Sequence, residues 1–497
     1  MIITKALEDR KRNIQDAVKT EWDFIIIGSG ITGAQTFRIL SSNGFSVLLI
    51  DSGDFSSGSS SNSGMLIWGG LLYLKSLDFK TVFKLSSVRD HLIEMDKENI
   101  KPLGVDYQLN KNDLLIKSGL WFYWLVSLCR RTPPHGYKNS KEKNIFAKQY
   151  EYHNIFEEAL IKSSDSRYTI NIIIASLKKN LKTRAFNYLG LAQGKFHHSR
   201  WELLLKDSLL QQEISVTGKN VINCAGIKVD EVNEFLNIQG SPYRHLWSKG
   251  VYLNLKRKEK HNRMFIYDDP EQDDVITYCP VGDVSLFGPT EENVDNNREY
   301  AFQLTEKDVQ TLKRKYIACT GERLKREDVV SYRVGVRSLC VPRDYYSDKY
   351  TLSISRWSKI FHDPKCNYAA VYGGKFTGSY ELAKNVLKQF RVNGVSEEKG
   401  IMPYWQAGQN GTEYIDPQSA IHNEQCWTLK DYLRNRTFIH QSVANGGFGL
   451  NFEFEENLAQ LSSYFLNELG STDVTMTAYL SEQQKLNKFF KEQIGEN

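Results

Sequence analysis

The sequence predicts an α/β fold organised on a parallel sheet, and three observations between Trp22 and Ser52 predict it. Asp23 to Ile27 is a short, nearly all-apolar, β-branched run, the composition of a strand buried on both faces. It passes directly into Gly28, Gly30 and Gly33, the GxGxxG spacing, and then into a helical stretch, Thr32 to Ser42, that Asn43-Gly44 stops. Phe45 to Ile50 reads as a second strand, and Asp51 ends it 18 residues after Gly33. Strand, glycine turn, helix, strand and acid in this order make a Rossmann-type dinucleotide-binding unit. The glycines permit a tight turn and close approach to a pyrophosphate, the helix turns its positive end to the phosphates, and the acid accepts from a ribose hydroxyl. Gly28, Gly30, Ile31, Thr32 and Gly33 are the expected phosphate cradle, with Asp51 and Ser52 at the ribose end. The glycines do not choose between NAD and FAD, since both bind such a turn through an ADP half.

The next stretch, Gly53 to Leu74 (GDFSSGSSSNSGMLIWGGLLYL), resembles the segment after the second strand in FAD-dependent glycerol-3-phosphate dehydrogenases, flavoproteins of the DAO-like superfamily. There a Ser-rich turn, a hydrophobic triplet and a Gly-Gly pair carry the flavin. The resemblance implies FAD as cofactor, touched by Ser59, Ser60, Ser61, Ser63, Gly69 and Gly70. Ser56 to Ser63 suits that task physically, offering many small donors and little bulk; a flexible Ser/Gly linker is the alternative.

Further along, Asp78 to Glu98 has helical spacing, with charges opposite its apolar stripe. Gly119 to Leu128 (GLWFYWLVSL) is strongly apolar and precedes Arg130 and Arg131, but ten residues cannot cross a bilayer as a helix. The family carries an aromatic helix here, so an internal helix is expected in preference to an interfacial anchor. Asp165 to Lys182 opens on Asp-Ser-Arg, like the family's Asp-x-Arg, and repeats isoleucines and leucines at three- and four-residue steps. Asn220 to Gly226 (NVINCAG) resembles the Val-Asn-Ala-Gly segment by which the family's last nucleotide-side strand touches the cofactor, implying contacts from Ala225 and Gly226. Lys249 to Leu255 alternates as a strand, Ile276 to Glu291 reads as two strands about a Gly-Asp turn, and Arg326 to Leu339 resembles the strand ending in Gly-Val-Arg-Pro-Leu. Gly373 to Thr377 (GGKFT) resembles a Gly-Gly-Lys-Leu-Thr that caps the flavin ring's pyrimidine end, implying contacts from Gly374, Lys375, Phe376 and Thr377. Trp427 to Thr437 resembles the opening of a C-terminal helical domain, which the periodicity of Leu450 to Leu469 continues.

The expected architecture is therefore α/β in three parts: a Rossmann-type FAD-binding domain of the glutathione-reductase/DAO kind from residues 18-75, 165-235 and 325-395, an antiparallel-sheet substrate domain from 76-164 and 236-324, and a helical domain from 396-497. A chain of 497 residues is long enough for such a division. Its net charge of +5, from 64 basic and 59 acidic residues, is compatible with an anionic substrate or a membrane surface and too balanced to argue nucleic acid. Seven scattered cysteines, without CxxC or metal-like pairing with His, read as free thiols, and the charged N-terminus has no apolar signal core. A cytoplasmic protein, or one peripheral at the inner face of the membrane, is expected.

The substrate side departs from the family. Its site is built from arginines, because a phosphate dianion favours bidentate guanidinium partners. Here the Arg after Gly-Gly-Leu is Leu72, the flavin-side His is Trp68, the substrate His of the Lys-Gly strand is Tyr252, and a downstream phosphate Arg falls near Asp348. Arg337 and Lys375 remain as cations, although each also has a plain reading as a solvated or surface-paired charge. Arg333, four residues before Arg337 on a strand, shares its face and either replaces a lost anion contact or meets solvent. Trp68 either packs or floors a pocket, and Tyr252 is either an ordinary strand aromatic or, with Lys375, a candidate base. The expected activity is hydride transfer to flavin N5 from a C–OH or C–NH carbon of a small polar or anionic molecule, with quinone, oxygen or another acceptor reoxidising the flavin. Glycerol-3-phosphate oxidation itself and an inactive flavin-binding scaffold are the alternatives.

Overall fold

The computed structural model describes residues 5–74, 77–109, 113–138, 151–258, 262–268, 275–295, 298–346, 354, 358–392, 415–469 and 476–495. Two sheets dominate it. The first runs in the order Lys359–Asp363, Tyr368–Tyr372, Gln212–Asn223, Glu21–Ile27, Val47–Ile50, Thr183–Phe186. From Tyr368–Tyr372 to Thr183–Phe186 every neighbouring pair is parallel, and Lys359–Asp363 closes one edge antiparallel.

Burial on both faces accounts for the unbroken apolar runs of the central strands. Phe24 and Ile26 face the helices Ile31–Ser42, Asp165–Lys179 and Ser379–Gln389. Ile25 and Ile27 face the other way, toward Leu203 and Leu205 of an antiparallel meander, Leu189–His197 and Arg200–Asp207, that continues from Gln212–Asn223. The first helix ends as its sequence requires, with Asn43 N–H reaching the Ile39 and Leu40 carbonyls and Gly44 at φ +80°.

The second sheet runs Leu66–Ile67, Tyr152–Ile161, Ile100–Leu109, Arg263–Asp268, Val275–Val281, Val284–Gly288, Tyr243–Lys256, Glu292–Asn293, with His135–Lys138 beside Tyr152–Ile161. Val329–Pro342 pairs with Tyr243–Lys256 from Tyr243↔Pro342 to Leu255↔Val329. This corrects one expectation: residues 329–342, assigned by sequence to the nucleotide-binding segments, belong to the second sheet. Alternation identifies a strand but not its partner. One face of this sheet buries Phe265, Tyr267, Tyr278 and Phe287 against Leu312 and Tyr316 of the helix Glu306–Thr320. That helix begins on a Thr305/Asp308 capping box and ends on left-handed Gly321, φ +71°.

The helices Pro417–Glu424, Glu455–Leu469 and Met476–Ile494, with the short turns between Leu429 and Gly447, make the C-terminal part. Ala6 and Leu7 of the opening helix Lys5–Lys19 share its core with Trp427, Leu433, Phe448 and Phe465. Buried ion pairs join this part to the first sheet. Arg436 forks onto Asp54 at 2.8 and 2.9 Å, and Arg167, from the Asp-Ser-Arg motif, holds Glu424 with both terminal nitrogens.

The aromatic helix, Leu114–Val126, does not lie inside. Only Leu120 and Tyr123 are buried, whereas Trp121, Phe122 and Leu125 are 47, 42 and 55% exposed. The run is apolar all round, so hydropathy alone could not reveal that only one side of it meets protein.

Candidate active site

A cleft of about 1380 Å³ runs along the carboxyl ends of the parallel strands and is walled on the other side by the second sheet. Ligand pockets usually occupy about 300–1,000 Å³, so this one is large enough for a dinucleotide and a small substrate together. Its nucleotide end carries Gly28, Gly30, Ile31, Thr32, Asp51, Ser52, Ser59, Ser60 and Ser63. Gly28 has φ +101°, and a Cβ there would lie 2.5 Å from the Cys224 carbonyl oxygen, so the glycine both bends the chain and admits the neighbouring strand end. Ser60 Oγ accepts from the first helical N–H, that of Ile31, at 2.9 Å. Asp51 accepts from Ser29 N–H at 2.7 Å and Ser29 Oγ–H at 2.6 Å, and from Gly53 N–H at 3.0 Å on its other oxygen; burial pushes its pKa up. A carboxylate has about four acceptor positions, which leaves room for a ribose hydroxyl.

Ala225, Gly226, Gly374, Lys375, Phe376 and Thr377 line the middle of the cleft. Thr377 Oγ1 accepts from the Trp68 backbone N–H at 2.9 Å, locking the second glycine turn to the chain below the Ser-rich wrap. Trp68 lines the cleft while its ring meets Phe156 edge-on at 6.4 Å, so it both packs and walls the site. Lys375 places its Nζ 3.7 Å from the centre of the Tyr73 ring and meets no carboxylate among the described residues; desolvation lowers its pKa to about 7. Tyr252 also lines the cleft, with its hydroxyl against Gly64, and burial raises its pKa. Such a phenol stays protonated and donates hydrogen bonds.

Arg337 reaches the cleft across Gly250, where a side chain would collide with the guanidinium. Its charge is not free: Nη1 donates to Glu291 Oε2 at 2.5 Å, and the Ser248 hydroxyl donates to Glu291 Oε1 at 2.5 Å. The sequence reading missed Glu291, which belongs to no motif and is brought to Arg337 only by the pairing of both flanking segments with Tyr243–Lys256. It also missed His245, whose Nε2 accepts from Gly373 N–H at 2.7 Å.

Several expected site residues support the cleft from outside it. Gly33 packs under the turn, where a Cβ would overlap the Gly28 carbonyl. The Ser61 hydroxyl bonds back to the Gly58 carbonyl at 3.0 Å. Gly69 donates its N–H to buried Glu158 at 2.7 Å and, with Gly70, lies against Arg89, Tyr123 and Leu85. Leu72 sits in the turn Leu71–Leu74; its side chain, like Asp348, lies outside the described residues.

Arg333 is a correction. It is 1% exposed and does not line the cleft: Nη2 donates to both Asp165 oxygens at 2.8 and 2.7 Å and to the Ser61 carbonyl at 2.7 Å. The motif Asp and this Arg brace the Ser-rich wrap from behind. Arg333→Ala should therefore destabilise the fold by about 3–5 kcal/mol, because Asp165 is left charged and buried, and should strip flavin only through that loss. A thermal melt of the variant checks this; an unchanged melting temperature with weakened anion binding would restore Arg333 to the substrate site.

Comparison with known proteins agrees with this geometry. Residues 23–117 match the family model described as DAO, FAD dependent oxidoreductase. The chain is 25% identical over 396 residues to the aerobic glycerol-3-phosphate dehydrogenase of Staphylococcus haemolyticus, covering 76% of this chain and 68% of that protein. In fold it superposes on glycerol-3-phosphate dehydrogenase from Bacillus halodurans, solved with FAD, with TM-score 0.69 over 97% of both chains at 17% identity. Glycine oxidase from Geobacillus kaustophilus gives TM-score 0.53 at 10% identity, over 78% of this chain and all of that one. The cleft suits FAD: the glycine turn at a helix N-terminus would hold the pyrophosphate, Asp51 would accept from the ribose, and Gly374–Thr377 would border the ring. The chain is an FAD-dependent oxidoreductase that carries a DAO-type segment at residues 23–117 and resembles the aerobic glycerol-3-phosphate dehydrogenases.

Proposed function

We propose that this flavoenzyme oxidises a C–OH or C–NH carbon of a small polar or anionic molecule less charged than a phosphate dianion. Bound FAD supplies the hydride acceptor, its N5, and quinone, oxygen or another acceptor later removes the electrons. The observation that carries the reading is Lys375, a desolvated amine without a carboxylate partner among the described residues, on the cleft wall that also carries Tyr252 and Arg337. Lys375 takes the proton from the substrate oxygen or nitrogen, the Tyr252 hydroxyl donates to the same group, and the Arg337–Glu291 pair orients a polar or singly charged end. The first sheet holds the cofactor and the second closes over the substrate. Oxidation of glycerol 3-phosphate itself is the runner-up, favoured by the sequence similarity to dehydrogenases of that name.

An anaerobic bleaching screen tests the proposal. The yellow protein is mixed with glycerol phosphates, hydroxy acids, amino acids and sugar derivatives, and loss of visible flavin absorbance identifies the substrate class. A protein that stays yellow with all of them is a flavin-binding scaffold.

With the substrate in hand, kcat/KM should rise as pH is raised through about 7 and level off above it, since a Lys whose pKa is lowered loses its proton there and becomes a base. Lys375→Met should remove this limb and lower the rate about 10²- to 10⁴-fold. A profile unchanged in the variant would assign the base elsewhere.

Leu77, Phe79 and Phe83, with Leu114, Leu115, Trp121, Phe122, Leu125 and Leu128, are each 41 to 81% exposed. Phe79 and Phe122 touch at 5.2 Å, so the two stretches form one apolar face, carried with Lys80, Lys84, Lys117 and Arg130. This composition suits peripheral contact with an anionic bilayer, and no helix among the described residues is long and apolar enough to cross one. The protein should co-sediment with anionic vesicles, come off in salt or carbonate without detergent, and lose binding in Trp121→Glu/Phe122→Glu. Equal binding by that variant would remove the face from consideration.

A further inference from the structure

His245 lies on the strand Tyr243–Lys256, 1% exposed, between the two turns that line the middle of the cleft from different strands of the first sheet. Its Nε2 accepts from Gly373 N–H at 2.7 Å. The other nitrogen, Nδ1, faces the backbone of Gly226 and stops short of full hydrogen-bond geometry. The ring leans on Tyr372 at 5.1 Å, and the His245 backbone N–H donates to Asp230 at 3.0 Å, which fixes the strand that carries the imidazole.

An Nε2 that accepts must be unprotonated, so the ring's single proton resides on Nδ1, the side turned to Gly226. Burial, with Arg298 nearby, lowers the ring's pKa to about 3 and keeps this neutral form at every working pH. Gly373 and Gly374 have φ of +69° and +124°, a backbone path that needs an external restraint to stay in one conformation. Lys375 follows directly.

We propose that His245 is a positioning residue for the cofactor: its neutral imidazole sets the distance between the Gly226 and Gly373 turns and so fixes the wall on which Gly374 to Thr377 stand. The proposal rests on FAD as cofactor and not on the identity of the substrate. The holoenzyme, His245→Phe and His245→Gln are compared for FAD dissociation by flavin fluorescence and for flavin midpoint potential by dye equilibration. Phe keeps the bulk but cannot accept. Gln offers an amide oxygen to Gly373 and an amide N–H toward Gly226. His245→Phe should weaken FAD binding about tenfold, the scale of one lost hydrogen bond, and shift the potential; His245→Gln should return both most of the way. Exchange of the Gly373 amide in the unaltered holoenzyme gives an answer even where His245→Phe does not fold: the bond to Nε2 predicts protection, and rapid exchange overturns the proposal. Equal FAD affinity and potential in wild type and His245→Phe also overturn it. A wild-type protein that binds no FAD overturns the cofactor assignment and this proposal together.

Discussion

Gly30→Glu should yield a folded, colourless protein. Gly30 has φ −64° and ψ 176°, a conformation open to any residue, and a Cβ there meets only the Ser60 hydroxyl, at 3.1 Å. The backbone therefore tolerates the change, and the new carboxylate projects where the helix Ile31–Ser42 offers its positive end. Two like charges about 4 Å apart at an effective dielectric near 20 repel by about 4 kcal/mol, roughly a thousandfold in affinity, before any steric term. The glutamate also satisfies the anion site that the pyrophosphate would occupy. Gly33→Val is the contrasting control, since its Cβ overlaps the Gly28 carbonyl and should damage the fold itself. Visible absorbance and a thermal melt separate the two: lost colour with a near-native melt for Gly30→Glu, lost stability for Gly33→Val. Denaturing the wild type should release FAD and not FMN. Flavin retained by Gly30→Glu would refute the phosphate cradle.

The nucleotide end of the cleft was legible because its determinants are local. Strand, turn, helix and acid follow one another within Glu21 to Asp51, and each has a pattern a reader of sequence can see. The substrate end was not, because its pairs form across the chain. Arg333 and Arg337 look equivalent on one strand face, yet Arg333 finds Asp165, 168 residues away, and Arg337 finds Glu291, 46 away. No periodicity distinguishes a brace from a ligand contact. The aromatic helix failed for a related reason, since its hydropathy says that it avoids water without saying whether protein or another apolar phase covers each side. Glu158 and Arg89, buried beneath Gly69, carry no signal in the sequence beyond being charged residues in elements that turn out to be interior.

Glycerol 3-phosphate should be a poor substrate. A phosphate dianion gains about 1.5–3 kcal/mol from each charge-assisted hydrogen bond, so two missing arginines cost about two to four powers of ten in affinity unless other cations replace them. The sequence left Arg333 as a candidate replacement, but its Nη2 is committed to both Asp165 oxygens. Arg337 remains on the wall, but Glu291, with a side chain 3% exposed, already neutralises it and would meet an incoming dianion with repulsion. Lys375 above pH 7 is largely uncharged, so at the pH where it would act as the proposed base it is weakest as an anion contact. A monoanion or a neutral polar group suffers least from this arrangement. Glu291→Gln tests the argument from the opposite direction, because it keeps the Ser248 hydrogen bond while freeing the Arg337 charge. Arg337 is 27% exposed and its field is partly screened, so the gain should be about tenfold, read as tighter inhibition by inorganic phosphate or glycerol 3-phosphate. Efficient wild-type turnover of glycerol 3-phosphate at micromolar concentrations, with no gain in Glu291→Gln, would show that the dianion is held by cations other than these and return the chain to the activity of its relatives.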